Sequence, residues 1–272
     1  MGIFVSENNV STAWLVALSA LLEAGGDAVN LTVCIADPTA ENEGIRQVLD
    51  RFIASQRRAK PRSVQRVSTV ANTIFPLAWY LPDRLGSAAA QHLFELEQTA
   101  RPVSRRRNPR GTYFERMVAW PGPDHQEFNQ LDQAVRRLRS ARMRGHGRGH
   151  EYEIGIAMPT DEIAVPVIVP GKDRSTIGFP CFSHLSFSLL NGAVHLLGVY
   201  RSHDFVSRAY GNYLGLGRVL QFVAHESGFP VGDLTCVSAS ATAETHRGGS
   251  FGTERVTALI DDCRAALEVA RR

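Results

Sequence analysis

The chain has 272 residues, of which 44% are hydrophobic, 21% charged and 8% aromatic, and its formal net charge at pH 7 is +3. These values are typical of a globular protein with a packed core and exclude a largely disordered chain. The charge suits a small anionic ligand but is too small to indicate nucleic-acid binding by itself.

The first half of the sequence is mainly helical. Ser11–Glu23 has apolar residues at helical spacing, begins at a serine and is followed by two glycines. Ala100–Thr112 is rich in Arg, Pro and Gly, so we expect a mobile loop there. The same reasoning predicts a strand over Asn30–Ala36 and helices over Glu41–Ser55, around Ser87–Gln98 and over Phe128–Ser140.

Strands dominate the second half, from Glu151 onward. Asn191-Gly192 is a strong hairpin turn signal between two apolar runs. The predicted strands are Tyr152–Ala157, Ile163–Val169, Ser183–Leu190, Val194–Tyr200 and Leu234–Ala241, and the predicted helices are Tyr213–His225 and Thr253–Arg271. This pattern indicates the α+β class, with a largely antiparallel sheet and helices against one face.

No cysteine pair has zinc-ligand spacing, because the four cysteines are far apart, and we therefore expect free thiols and no metal. His146 and His150 are separated by glycines that disfavour a shared helical face. No apolar run is long enough to span a bilayer and no signal peptide is evident, so the sequence predicts a cytoplasmic protein without membrane or nucleic-acid partners.

The segment Gly178–Leu234 carries the most specific pattern in the chain. It combines a Pro-Cys at Cys181, an Arg-Ser-x-Asp that begins at Arg201, an asparagine at Asn212 and a later Gly-Asp. This segment resembles the active-site region of the thymidylate synthase superfamily, and the intervals between these residues need no gap. The resemblance implies a thymidylate synthase-like fold and a homodimer that associates through its sheet.

Two weaker matches precede that segment. Gln65–Pro76 resembles the N-terminal phosphate loop of the superfamily. Tyr113–Trp120, followed by Leu131–Gln133, resembles the segment that runs from an active-site tyrosine to an Ile-Asp-Gln helix. The resemblance therefore covers about residues 66 to 234. We expect a single domain over residues 1–272, in which residues 1–60 are a divergent N-terminal extension.

The resemblance assigns covalent chemistry to Cys181. Addition of its thiolate to C6 of a pyrimidine makes C5 nucleophilic toward a one-carbon donor. The pKa of the thiol is expected to be lowered by arginines gathered for the nucleotide phosphate. Tyr113 is implied to help move protons, and Asp204 to contact the pterin of 5,10-methylenetetrahydrofolate.

The resemblance also assigns the phosphate ligands of a pyrimidine nucleoside monophosphate. These are Arg66, Arg201 and Ser202, whose guanidinium and hydroxyl groups suit phosphate oxygens. Arg148, with Arg144 in reserve, is implied to be contributed by the partner subunit across the dimer interface.

Asn212 is the residue implied to read the base. A carboxamide presents a donor and an acceptor that match O4 and N3–H of uracil. Relatives that act on cytosine carry Asp at this position, so Asn212 favours uracil. Cytosine stays open because the amide can be flipped.

The sequence departs from the superfamily at several site positions. Phe182 replaces a histidine, and His184, which would share its strand face, lies about 7 Å further along. Thr242 and Glu244 replace residues that hold the sugar 3′-hydroxyl, which fits a ribonucleotide or another altered sugar. Arg208 replaces a glycine near the folate.

Two further departures concern the lid and the catalytic glutamate. The chain ends in ALEVARR, where the superfamily has a short apolar lid, so we expect an open site. The catalytic glutamate has no assigned position, and Glu95 and Glu97 are the candidates.

The sequence as a whole predicts a divergent, folate-dependent C5 hydroxymethyl- or methyltransferase for CMP, UMP or their deoxy forms, in the biosynthesis of a modified nucleoside. Two alternatives stay open. One is a folate-independent reaction of the nucleotide at Cys181, favoured if Arg208 fills the folate pocket. The other is a non-catalytic nucleotide-binding scaffold.

Overall fold

Six strands form one mixed sheet in the computed structural model, which describes residues 2–59, 64–82, 88–109, 111–121, 126–145, 152–156, 181–246 and 251–269. They are β1 (Phe4–Asn9), β2 (Asp27–Asp37), β5 (Tyr152–Gly155), β6 (Phe182–Leu190), β7 (Ala193–Asp204) and β8 (Val231–Thr242); the short strands β3 (Trp120–Pro121) and β4 (Glu127–Phe128) pair separately. The order across the sheet is β1-β2-β8-β7-β6-β5.

The pairing within this sheet is more varied than the sequence predicted. β1–β2 and β7–β8 pair in parallel, and the three other neighbouring pairs are antiparallel. The α+β class is confirmed, and antiparallel pairs are in the majority as expected, but the two parallel pairs make the sheet a mixed one. The predicted strand over Ile163–Val169 lies outside the described residues.

The predicted helices are found with ends within a few residues of the expected ones. The helices are α1 (Val10–Glu23), α2 (Glu43–Ala59), α3 (Val67–Ile74), α4 (Ala89–Ser104), α5 (Tyr113–Val118), α6 (Gln130–Arg144), α7 (Tyr210–Ser227) and α8 (Thr253–Val269). In the described part of the chain, no helix has the length and apolar character needed to cross a membrane.

The predicted loop over Ala100–Thr112 is wrong in its first part, because α4 continues past Pro102 to Ser104. A proline removes a helical hydrogen bond, but side-chain contacts compensate here. The Arg101 guanidinium donates to Glu97 one turn earlier, with Nε–Oε1 at 2.9 Å, and to Glu127 with Nη2–Oε2 at 3.0 Å. These ion pairs hold the last turns of α4 in helical form.

The N-terminal residues are part of the main sheet and support the later active-site region. Strands β1 and β2 join the sheet through β8. Trp14 of α1 is fully buried, and its indole Nε1 donates to the carbonyl oxygen of Phe205 at 2.8 Å. Ser11 and Tyr210 share a buried hydrogen bond of 2.7 Å between their hydroxyls. This segment therefore helps to fix the turn between β7 and α7.

Two glycines bring α3 close to α7. A Cβ added at Gly211 would lie 2.6 Å from Cβ of Val70, and one added at Gly215 would lie 2.7 Å from Cβ of Ile74. Any larger residue at either position would push the helices apart. The close contact places one face of α3 against the pocket described below.

Candidate active site

One pocket of about 570 Å³ gathers most of the residues that the sequence singles out. It lies between α3, α5, the end of β7 and the start of α7. Predicted site residues in its lining are Tyr113, Cys181, Ser202, Asp204 and Asn212. Further lining residues with polar side chains are Thr73, Asn108, Thr112, Arg116, Tyr200, His203 and Arg208.

Cys181 lies immediately before β6 and is an exposed residue with a free thiol, although neighbouring atoms partly cover the thiol itself. Its carbonyl oxygen accepts from the backbone N–H of Arg201 at 2.8 Å, which ties the residue to β7. Desolvation by burial and the charge of Asp204 raise the pKa of the Cys181 thiol, whereas Arg201 and Arg208 oppose this rise. The expectation that arginines lower this pKa overall is therefore wrong, because their effect is the smaller one.

The strand after Cys181 is irregular. The register between β6 and β7 shifts between Phe182 and His184, so the regular alternation of side chains is broken at Ser183. Phe182 is fully buried, while the His184 ring lies on the exposed side and hydrogen-bonds Glu153. The expectation that His184 shares a strand face with Phe182 is therefore wrong.

Tyr113 forms one wall of the pocket. It is the first residue of α5, whose N-terminus is capped by Thr112, since Thr112 Oγ1 accepts from Glu115 N at 3.1 Å. The Tyr113 ring packs edge-on against Phe182, with ring centroids 5.4 Å apart. Burial, followed by the charge of Cys181, raises the pKa of Tyr113 to about 12. The hydroxyl therefore keeps its proton at neutral pH.

Asn212 closes the buried end of the pocket. It lies in the first turn of α7, and its Nδ2 is 3.0 Å from Nε2 of His203. The other ring nitrogen of His203, Nδ1, is 2.8 Å from Oγ of Ser238 on β8. The His203 ring stacks on Tyr200, with centroids 4.2 Å apart and planes 3° from parallel. The side chains of Asn212, His203 and Ser238 are all buried, and hydrogen bonds connect them in series.

The more exposed part of the lining, formed by Cys181, Asp204 and Arg208 and called the mouth below, carries opposite charges. Asp204 is the last residue of β7, and Arg208 lies in the single π-helical turn Phe205–Ala209 that follows. Both line the pocket beside Cys181. Arg208 is therefore a cation in the lining of the same pocket as Asp204, the residue for which the resemblance implies contact with the pterin.

Thr242 and Glu244 do not line this pocket. Glu244 turns inward and accepts from the backbone N–H and the hydroxyl of Ser207, each at 2.8 Å. Burial is the main reason that the pKa of Glu244 is raised to about 7. Thr242 Oγ1 accepts from the Glu244 backbone N–H at 3.0 Å. These two residues thus brace the turn that carries Arg208.

The predicted phosphate ligands are not all brought together. Ser202 lines the pocket, and the charge of Arg201 reaches Cys181, but Arg201 is not part of the pocket lining. Arg66 precedes α3 and lies in a separate groove of about 610 Å³ with Arg46, Arg57 and Arg58. Arg144 donates to Ser140 of its own helix at 2.7 Å. Arg148 lies outside the described residues, as do His146 and His150.

Neither candidate for the catalytic glutamate lines the Cys181 pocket. Glu95 is exposed on α4, and its Oε1 accepts from Gln91 Nε2 at 3.1 Å. Glu97 is buried and paired with Arg101 in a neighbouring pocket of about 390 Å³. The assignment of either residue to the site is corrected, because Glu95 is engaged with Gln91, Glu97 is engaged with Arg101, and neither lines the pocket of Cys181.

Sequence reasoning missed His203, Arg116 and Tyr200 as pocket residues. His203 is the variable residue within Arg-Ser-x-Asp, and its sequence position carries no sign of its hydrogen bond to Ser238. Arg116 is buried and donates through Nη1 to the carbonyl oxygen of Ile156 at 3.0 Å.

In the described part of the chain, no three His, Cys, Asp or Glu side chains are grouped so that they could hold a metal ion.

No family model matches the sequence. Several curated proteins with the name "Putative thymidylate synthase" are similar to it. The protein from Methanosarcina barkeri is 27% identical over 168 residues, which are 60% of this chain and 68% of that protein. The protein from Methanococcoides burtonii is 35% identical over 78 residues, 29% of this chain and 36% of that protein. The protein from Methanothermobacter thermautotrophicus is 28% identical over 132 residues, 48% and 49% of the two chains.

Proposed function

We propose, from this distant thymidylate synthase-like relationship, that the chain transfers a hydroxymethyl or methyl group to C5 of a pyrimidine nucleoside monophosphate. The observation that carries the proposal is the shared pocket of Cys181, Tyr113, Asn212 and Asp204. A nucleophile, a protonated hydroxyl, a carboxamide and a carboxylate around one cavity match the needs of covalent catalysis at a pyrimidine ring.

In this proposal Cys181 forms the covalent bond to the base. Its exposed thiol gives its proton to water, and the sulfur bonds to C6. The electron pair of the C5–C6 double bond moves to C5 and O4, so C5 becomes the nucleophile. C5 would then take the one-carbon unit and tetrahydrofolate would leave; a water molecule would supply the oxygen of a hydroxymethyl product, and a hydride from the tetrahydrofolate would be needed for a methyl product. Loss of the C5 proton to water and breakage of the sulfur–C6 bond restore the C5–C6 double bond and the free thiol. Asn212 stabilises charge on O4 through its N–H.

We propose that a folate donor binds at the mouth of the pocket. Methylenetetrahydrofolate would supply a one-carbon unit at the oxidation level of formaldehyde. The Asp204 carboxylate lines the pocket and has no ion pair or hydrogen bond to a described residue. A carboxylate in that position suits the N–H donors of a pterin, so Asp204 would hold it.

A second candidate function is favoured by Arg208. Its cationic side chain lines the same mouth, and this candidate requires that it fills part of the space that a pterin would need. In that case Cys181 would still add to C6, and the C5 hydrogen would exchange with water without any donor. The two candidates share the adduct and differ only in their requirement for folate.

We also propose that the sugar is held differently from that of a deoxyribonucleotide in the related enzymes. The support is that Glu244 is engaged with Ser207 and that Thr242 lies outside the pocket. This arrangement supports a ribonucleotide or another altered sugar as substrate, and with it we propose a role in making a modified nucleoside. We also propose, as the resemblance implies, that the protein is a homodimer in which the partner subunit contributes an arginine to the phosphate site.

The test is release of tritium from C5-labelled UMP, dUMP, CMP and dCMP, with and without methylenetetrahydrofolate. We expect release from one nucleotide, at least about 10³-fold slower in Cys181→Ala. Cys34→Ala is the matched control, because Cys34 is a half-buried thiol on β2 away from the pocket. Release that needs folate supports the transferase, and release without it supports the second candidate.

No release from any of the four nucleotides would contradict both catalytic candidates. Nucleotide binding without release would then favour a scaffold. Product analysis by mass spectrometry separates a hydroxymethyl from a methyl product.

A further inference from the structure

His203 has a fixed pattern of hydrogen bonds although its ring is almost completely buried. Its two ring nitrogens face one partner each, Ser238 Oγ at 2.8 Å and Asn212 Nδ2 at 3.0 Å. Tyr200 stacks on one face of the ring, and Phe205 and Tyr213 pack edge-on against it, with centroids 5.3 and 5.8 Å away. The ring is therefore not free to turn.

The hydrogen-bond partners of His203 determine which of its ring nitrogens carries the proton. Burial lowers the pKa of His203 to about 3, so the ring is neutral at physiological pH and has one N–H. Asn212 Nδ2 is only a donor, so Nε2 must be the acceptor. The proton is then on Nδ1, and Nδ1–H donates to Ser238 Oγ, which accepts through a lone pair.

This proton position also fixes the Asn212 carboxamide. The Nδ2 side is held toward His203, so the Oδ1 side is left for the pocket, which Asn212 lines. Oδ1 has no hydrogen bond to a described side chain. One N–H of Nδ2 also remains available beside it, because the amide has two hydrogens and His203 uses one.

We propose that Ser238 and His203 are positioning residues that hold Asn212 in the uracil-reading orientation and so reject cytosine. In this orientation Oδ1 accepts from N3–H of uracil, and the remaining N–H of Nδ2 donates to O4. Cytosine has an acceptor at N3 and a donor at its 4-amino group, so both contacts would be lost. The inference rests on the proposed function, since it names the base for that same pocket.

Ser238 is the residue on which this orientation depends. Without its oxygen, Nδ1–H would be left buried without an acceptor, which is costly. The proton then moves to Nε2, Nε2–H donates to Oδ1, and the carboxamide turns over. A turned carboxamide presents N–H to N3 and matches cytosine, so the preference for uracil is expected to weaken.

The test compares the binding of UMP with that of CMP, and of dUMP with dCMP, to the full chain by titration calorimetry. We expect the wild type to bind the uracil member of a pair at least about tenfold tighter. Ser238→Ala should reduce that ratio at least about fivefold, and Ser238→Thr, which keeps the oxygen, should retain it. Ser240→Ala is the matched control, because Ser240 is exposed on the same strand.

The outcomes separate this inference from the proposed function. Binding of nucleotides with an unchanged ratio in Ser238→Ala overturns the inference alone. Failure of all four nucleotides to bind overturns the proposed function and the inference with it. A second measurement needs no nucleotide: ¹⁵N NMR of ring-labelled histidine should show His203 with its proton on Nδ1, and a proton on Nε2 would overturn the inference even if Ser238→Ala fails to fold.

Discussion

The two ends of the Cys181 pocket are built in opposite ways. At the inner end, Asn212, His203 and Ser238 are buried, neutral and hydrogen-bonded to one another. At the mouth, Cys181 is exposed between the opposite charges of Asp204 and Arg208. These three buried, neutral side chains have few alternative arrangements, because any polar group left without a hydrogen bond would carry a desolvation cost.

This difference separates recognition from reactivity. The inner end is organised before any ligand arrives, so it suits the selection of a base. Desolvation and Asp204 raise the pKa of the thiol at the mouth, and Arg201 and Arg208 lower it, so its reactivity changes when a ligand alters the solvation or any of these charges. Substitutions at the mouth should therefore change the reactivity of Cys181 without changing the choice of base.

The largest expected effect comes from Glu244, the buried carboxyl that supports the mouth. Its pKa of about 7 in the folded chain exceeds the ordinary value of 4.5. Between these values the unfolded chain releases the proton and the folded chain keeps it, so stability falls as the pH rises. Relative to Glu244→Gln, the wild type should lose up to about 3 kcal/mol of unfolding free energy between pH 4.5 and pH 8.

Urea denaturation of both proteins across that pH range is the measurement. Glu254→Gln, an exposed substitution in the first turn of α8, is the control and should follow the wild type. Parallel curves for the wild type and Glu244→Gln would contradict the prediction.

A smaller effect is expected when the two charges at the mouth are removed one at a time. Asp204→Asn should lower the pKa of Cys181 and speed its alkylation by iodoacetamide at pH 7 about threefold, because the thiolate fraction rises more than its nucleophilicity falls. Arg208→Gln should slow the alkylation for the opposite reason. The pH dependence of the alkylation rate measures both. If Asp204→Asn and Arg208→Gln change the alkylation rate in the same direction and by the same factor, the two charges do not act on the thiol as described.

The smallest effect is expected for Arg66. Because Arg66 lies in the groove with Arg57 and Arg58, Arg66→Ala should change the KM for the nucleotide by less than about twofold. Ser202→Ala should raise KM about fivefold, since Ser202 lines the pocket. Steady-state tritium release measures both. A rise of tenfold or more in Arg66→Ala would instead place Arg66 on the phosphate, as the resemblance implies.

Periodicity and turn residues in the sequence were sufficient for the α+β class and for most helices and strands. The helix α1 and the hairpin at Asn191 were predicted because apolar spacing and turn chemistry are local properties. The helical part of Ala100–Thr112 was not predicted, because the ion pairs that hold it in helical form reach Glu127, a residue distant in sequence. Cys181 and Asn212 were found because the resemblance runs through an ungapped segment.

The sequence by itself determined most of the helices and strands and indicated the thiol and the carboxamide that line the pocket. Only the tertiary structure decided that β1 and β2 complete the main sheet, that the strand after Cys181 is irregular, and that Ser238 meets His203. Periodicity fixes which face of an element is apolar, but it carries no information on which distant element that face meets. Contacts between residues far apart in the chain depend on how all the elements pack together, and the reading of the base is proposed to rest on such a contact.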